Sequence, residues 1–169
     1  MFYLPEDALP HAISLTASVL MLLAAWRRPV LGRALDVALF AWAAPTNLHA
    51  VSTDPAQYLD FANLAVLDAY ADIIRGPFAQ HVTLYVTLIA TCQALIAAGL
   101  FTGGMLARVA AVGAITFLVA IAPFGVGSAF PCTLIMATGA ALLLRHPTAL
   151  QDNLAHRTRA AWTTRRHAH

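Results

Sequence analysis

The chain has 169 residues, of which 60% are hydrophobic and only 11% charged, whereas a soluble domain of this size carries about 25% charged residues to face water. Its net charge is only +2, and its two cysteines, Cys92 and Cys132, form no Cys-x-x-Cys, which excludes a disulfide framework or a cysteine-based zinc module. The deficit of charge is concentrated: between Gly76 and Leu144 the only charged side chain is Arg108.

A charge left in hydrocarbon costs about 2.5–3.5 kcal/mol on insertion scales, so so clean a stretch predicts lipid-facing helices. The expected fold class is an all-α membrane protein, a transmembrane bundle of about five helices over residues 1–146. Residues 1–10 carry Glu6 and Asp7 and lack the basic start of a cleavable signal peptide, so the first apolar segment, 8–26, is expected to be retained. The second, 30–51, is the least apolar, because it contains Arg33, Asp36, Pro45, Asn47 and His49.

Between 55 and 75 the periodicity is helical. At about 100° per residue, Asp60, Asn63, Asp68, Asp72 and Arg75 share roughly half the wheel and apolar residues fill the rest. This predicts one amphipathic helix on the outer face, started by Thr53-Asp54-Pro55 and ended by Gly76-Pro77. The later spans are expected at 78–101, 105–124 and 130–145. On the first of these, Gln80, Thr83, Thr87, Thr91, Ala94 and Ala98 lie on one stripe, expected to be the packing face because small and hydroxyl residues let helices approach closely. A tight Thr102-Gly103-Gly104 turn joins it to the next span. Residues 147–169 form a basic tail, read as a contact with anionic lipid rather than with nucleic acid.

Five spans with the N-terminus outside place Arg27, Arg28, Arg33, Arg108, Arg145, Arg157, Arg159, Arg165 and Arg166 in the cytoplasm and only Arg75 outside. That is the asymmetry of the positive-inside rule, and it predicts a bacterial inner-membrane protein with a cytoplasmic C-terminus.

The run Leu95 to Thr102 (Leu-Ile-Ala-Ala-Gly-Leu-Phe-Thr), followed by Ala107-Arg108, resembles the DoxX family of small bacterial membrane proteins, in which a helix ends in a Gly-Leu-x-Thr turn and the next starts near an Arg. Leu48-His49 at a helix end, with Asp54-Pro55 and Tyr58 in the loop after it, is also similar to that family. The resemblance covers roughly residues 30–145 and implies a four-helix core to which the N-terminal helix is an addition. The family often carries an acidic residue near the position of Ile89; in this chain the nearest polar group is Gln93. It implies association with redox or maturation complexes.

Three histidines, His11, His49 and His81, are expected at the outer ends of different helices, with Cys132 on the same side. Imidazole and thiolate at one level suit a zinc or copper ion, or haem. His81, Tyr85 and Cys92 share one face of their helix, and Asn47 lies beneath Pro45 on the second span. With His49 these form a quinone-binding candidate, a polar donor set above aromatic rings. Cys92 and Cys132 are expected at depths too different to pair, since a disulfide needs Cα atoms about 4.4–6.8 Å apart. Arg33 and Asp36 are expected as a local pair three residues apart on one helix. Two functions follow as expectations: a subunit or assembly partner, non-catalytic on its own, that packs against a protein partner or a second copy within the bilayer; or a quinone- or haem-binding component of an oxidoreductase.

Overall fold

The computed structural model describes residues 8–128 and 130–146, and the basic tail read at 147–169 lies outside them. Among the described residues the chain is helical without strands. Its helices are α1 (Ala8–Arg27), α2 (Pro29–Thr53), the short α3 (Phe61–Leu64) and α4 (Asp68–Ile73), α5 (Val82–Phe101), α6 (Gly104–Ile121) and α7 (Cys132–Leu143).

The five longer helices close into a ring. α2 packs most extensively on α5, α5 on α6, α6 on α7, α7 on α1 and α1 back on α2, with α7 also reaching α2 across the middle. Three stretches are long and apolar enough to cross a membrane: Leu9–Arg27, Val82–Phe101 and Gly104–Gly125. α2 has the length, 25 residues, but carries the polar side chains noted above. α7 has 12 residues, about 18 Å at 1.5 Å each, less than a hydrocarbon core of about 30 Å.

Close backbone approach at two hairpins sets this arrangement. α1 and α2 are joined through Arg28, with Pro29 at the start of α2 where its missing N–H costs nothing. Gly32 then lies directly on the Ala25 backbone, where any Cβ would collide. At the α5–α6 turn Gly104 takes φ +64°, and a Cβ on Gly99 would meet the Ala110 Cβ at 2.6 Å. The buried seam of α6 is Ala107, Ala110, Ala111 and Ala114, a 3–4 spacing that keeps small side chains on one face.

The stripe expected to pack on α5 does not do so. Gln80, Thr83, Thr87, Thr91, Ala94 and Ala98 are all exposed, and the buried face is instead Val82, Val86, Ala90, Gln93, Ala97 and Leu100. The threonines need no neighbour where a hydroxyl bonds back into its own helix, as Thr91 Oγ1 donates to the Thr87 carbonyl at 2.8 Å. Thr91→Val should therefore change the melting midpoint of the detergent-solubilised protein by the equivalent of less than about 0.5 kcal/mol, as expected for a site away from packing.

The outer segment is not the single helix expected over 55–75. It comprises a 3-10 turn Pro55–Asp60, α3, an extended Ala65–Leu67, α4, and a π turn Ile74–Phe78. The break is where the chain hydrogen-bonds to the α6–α7 connection: Val66 N–H donates to the Pro123 carbonyl at 2.8 Å. Folding back buries Ala62, Ala71 and Ile74 against Phe61, Phe78 and Phe124. The polar arc survives the change, since Asp60, Asn63, Asp68, Asp72 and Arg75 are all exposed. The segment thus forms a cap over one end of the bundle.

At the opposite end Arg33 and Asp36 attract each other inside the bundle, at 3% and 5% exposure. The Arg33 guanidinium also reaches across to donate to the His146 carbonyl, just past the end of α7.

Candidate functional site

Beneath the cap is a cavity of about 360 Å³ between α2, α5 and α6. Drug-sized ligand sites run from about 300 to 1,000 Å³ and are apolar with a few placed polar groups. Most of this wall is aromatic or aliphatic, including Trp42, Phe61, Phe78, Phe117 and Phe124, and the polar side chains lining it are Asn47, Tyr58 and Gln93.

Those three form a chain. The Tyr58 hydroxyl donates to Asn47 Oδ1 at 2.9 Å and lies 3.3 Å from the Asn47 carbonyl. Asn47 Nδ2 donates to Gln93 Oε1 at 2.9 Å. Each member comes from a different element: Tyr58 from the cap, Asn47 from α2 two residues after Pro45, and Gln93 from the buried face of α5. Asp54 sets the start of the cap turn by accepting from Ala56 N–H at 3.1 Å, which brings Tyr58 back over Asn47. Amides inside apolar helices are tolerable when they satisfy each other, and that requirement locates the chain. Burial pushes the Tyr58 hydroxyl above its ordinary value, so it remains a proton donor well past neutrality.

The aromatic roof is held edge to face. Tyr70 meets Phe124 with ring centroids 5.1 Å apart at 81°, and Phe61 stands 6.2 Å from Phe124. Phe78 stacks on Tyr85 at 5.5 Å and 22°.

Of the residues expected from sequence to bind a cofactor, Asn47 lines the cavity. Tyr85 lies outside it and is exposed, supporting Phe78 from behind. His49 and His81 are exposed at the end of α2 and just before α5, and neither faces this cavity. The expected metal set is corrected as well. Among the described residues no three histidine, cysteine or acidic side chains come together in a way that would hold a metal ion. His11 is half-buried on α1, whereas Cys132 is fully buried at the start of α7. Cys92 and Cys132 are free thiols, one exposed and one buried.

Sequence reasoning missed Tyr58, which looked like part of an apolar helix face, and treated Gln93 only as a substitute for an acidic group. The available signal was that Asn47 and Gln93 are both amides in otherwise apolar helices, each in need of a partner.

Two other hollows frame the site. One of about 350 Å³ adjoins it toward α1 and α7 and shares Trp42, Gln93, Phe117 and Ile121 with it. The other, about 730 Å³, is an apolar groove on the outside of α5 and α6 between Cys92, Leu95, Val109 and Gly113, without a set of converging polar groups. No family model, curated protein or solved structure matches the chain.

Proposed function

We propose that the protein is a five-span, DoxX-like protein of a bacterial inner membrane that binds a flat, uncharged lipophilic ring, of which a quinone headgroup is the best fit, in the cavity beneath a periplasmic cap. The observation that carries this reading is the Tyr58–Asn47–Gln93 chain set into an otherwise aromatic and aliphatic wall. Aromatic side chains offer faces for a ring, and the amides offer hydrogen bonds to its carbonyl oxygens. Among the described residues neither Asp, Glu, Lys, Arg nor His lines the cavity, which favours a neutral ligand. The positive-inside asymmetry supports a cap facing the periplasm. The protein then acts as a binding component, and no catalytic group is assigned.

Quenching of Trp42 fluorescence by duroquinone, with Trp42→Phe as the control for other tryptophans, measures this binding in mild detergent. Saturable quenching is expected from the wild type. Tyr58→Phe should weaken it roughly three- to tenfold, the worth of one buried hydrogen bond. Quenching that rises linearly with duroquinone and is identical in both proteins would refute the reading.

A second reading, a non-catalytic subunit or assembly partner, is favoured by one observation. Thr83, Thr87, Thr91, Ala94 and Ala98 face outward on α5 beside the apolar groove, leaving a small-residue face unused by this bundle. Co-purification of a stoichiometric partner that is lost in Ala98→Leu, with the melting midpoint unchanged, is the expected result for that reading.

A further inference from the structure

Behind the aromatic cavity, the adjoining chamber of about 350 Å³ is lined by Cys132 and Thr133, which the proposed function does not use. It lies between α1, α2, α6 and α7, and its walls are mainly apolar, with Ile13, Leu39, Phe40 and Met136 among them. Among the described residues neither Asp, Glu, Lys, Arg nor His lines it. At its α7 wall are Cys132 and Thr133, exposed by 0% and 4%.

Thr133 differs from four exposed helical threonines. Thr16, Thr46, Thr91 and Thr138 each donate to the carbonyl four residues earlier, at 2.8–2.9 Å. Thr133 is the second residue of α7, so no carbonyl of its own helix lies four residues back. Its Oγ1 is buried with no hydrogen-bond partner. Leaving such a hydroxyl unsatisfied is costly, and native structures keep few of them.

Gln93 supplies a second unspent donor to the same chamber. It is 5% exposed, and its hydrogen bond runs through Oε1, which accepts from Asn47. Its Nε2 can only donate. The chain from Tyr58 through Asn47 therefore ends at an amide nitrogen with no acceptor among the described residues, and Thr133 lines the same chamber.

We propose that this inner chamber holds a neutral lipophile by its carbonyl oxygen, received between Gln93 Nε2 and Thr133 Oγ1, with its hydrocarbon part against the apolar walls. Two donors without an acceptor specify the carbonyl, and the lack of an ionisable wall specifies neutrality. The site adjoins the aromatic cavity through Gln93 and does not require a quinone to occupy it. Carbonyl oxygen of this kind comes from a membrane acyl ester or from a free ketone.

The test uses the full chain in detergent micelles, with bound molecules counted by native mass spectrometry. The probes are methyl nonyl ketone, methyl decanoate and undecane, which differ in the carbonyl and are similar in chain. Wild-type protein should hold at least one carbonyl probe about tenfold more tightly than undecane. Ester preference assigns an acyl lipid as the source, and ketone preference a free ketone. Thr133→Val, which keeps the shape and removes the hydroxyl, should lose most of that preference while binding undecane as before, and Thr133→Ser should restore it. The melting midpoint of the probe-free Thr133→Val protein should stay level or rise, because an unsatisfied hydroxyl has been removed; a structural hydroxyl would lower it. Equal binding of carbonyl probes and undecane by the wild type, or an undiminished carbonyl preference in Thr133→Val, overturns the proposal. Trp42 borders both hollows, so the two readings are separated by the variants: duroquinone quenching should be unchanged in Thr133→Val and weakened in Tyr58→Phe.

Discussion

Arg33→Met should destabilise the detergent-solubilised protein by about 1–3 kcal/mol, because the His146 carbonyl loses its donor and buried Asp36 loses the charge that attracts it. Asp36 is 5% exposed, and its Oδ2 already lacks a hydrogen-bond partner, so the Arg33 charge is the main compensation for that carboxylate. The same substitution also removes the donor to the His146 carbonyl, the contact that ties the beginning of α2 to the end of α7. Arg33→Met/Asp36→Leu should recover most of the loss, because apolar side chains of similar volume replace buried ion pairs at little cost. Melting followed by circular dichroism measures both proteins. A single variant as stable as the wild type would mean that Asp36 reaches water or another cation without Arg33.

Gly125→Val should release the cap while leaving the bundle folded. Gly125 has φ +72° and ψ −139°, a region essentially confined to glycine, and the strain there costs about 1–3 kcal/mol. A Cβ at this position would also run into the Leu64 carbonyl, with about 1–3 kcal/mol more for overpacking. The contact is part of the join that includes Val66 N–H to the Pro123 carbonyl, and it holds Phe61 and Tyr70 around Phe124. Hydrogen exchange should show residues 61–73 losing protection while α5 and α6 keep theirs. Unchanged protection in the cap would show that its anchoring lies elsewhere. Because the cap supplies Tyr58, duroquinone binding should fall as well.

The helices were legible from the sequence because charge is so scarce in it. The stretch from Gly76 to Leu144 with only Arg108 gave α5, α6 and α7 to within a few residues, and the glycine turn at 103–104 gave their hairpin. Periodicity located the cap and its polar arc. It could not show the break at Ala65–Leu67, because that break is caused by a hydrogen bond to Pro123, more than fifty residues away.

The packing face of α5 was misread for a general reason. Small residues permit close approach but do not demand it, and a threonine that bonds to its own helix can face lipid. Gln93, in contrast, could not face lipid without a partner, and it marks the buried side. The site was half legible. Asn47 stood out as a polar group inside an apolar helix, while Tyr58 was hidden because a tyrosine on an amphipathic face reads as an apolar residue. The histidines misled because sequence gives the depth of a side chain along a helix far better than the direction in which it leaves the bundle.

Whether α2 and α7 cross the membrane decides which compartment the cap occupies. In spheroplasts, with Cys92→Ser as background, a membrane-impermeant maleimide should label Asp60→Cys in the cap and leave Met105→Cys at the α5–α6 turn unlabelled until the membrane is opened. Crossing by α1, α5 and α6 alone would put the turn outside and the cap inside. Labelling of Met105→Cys in intact spheroplasts, with Asp60→Cys protected, would contradict the five-span arrangement and the periplasmic entrance to the site.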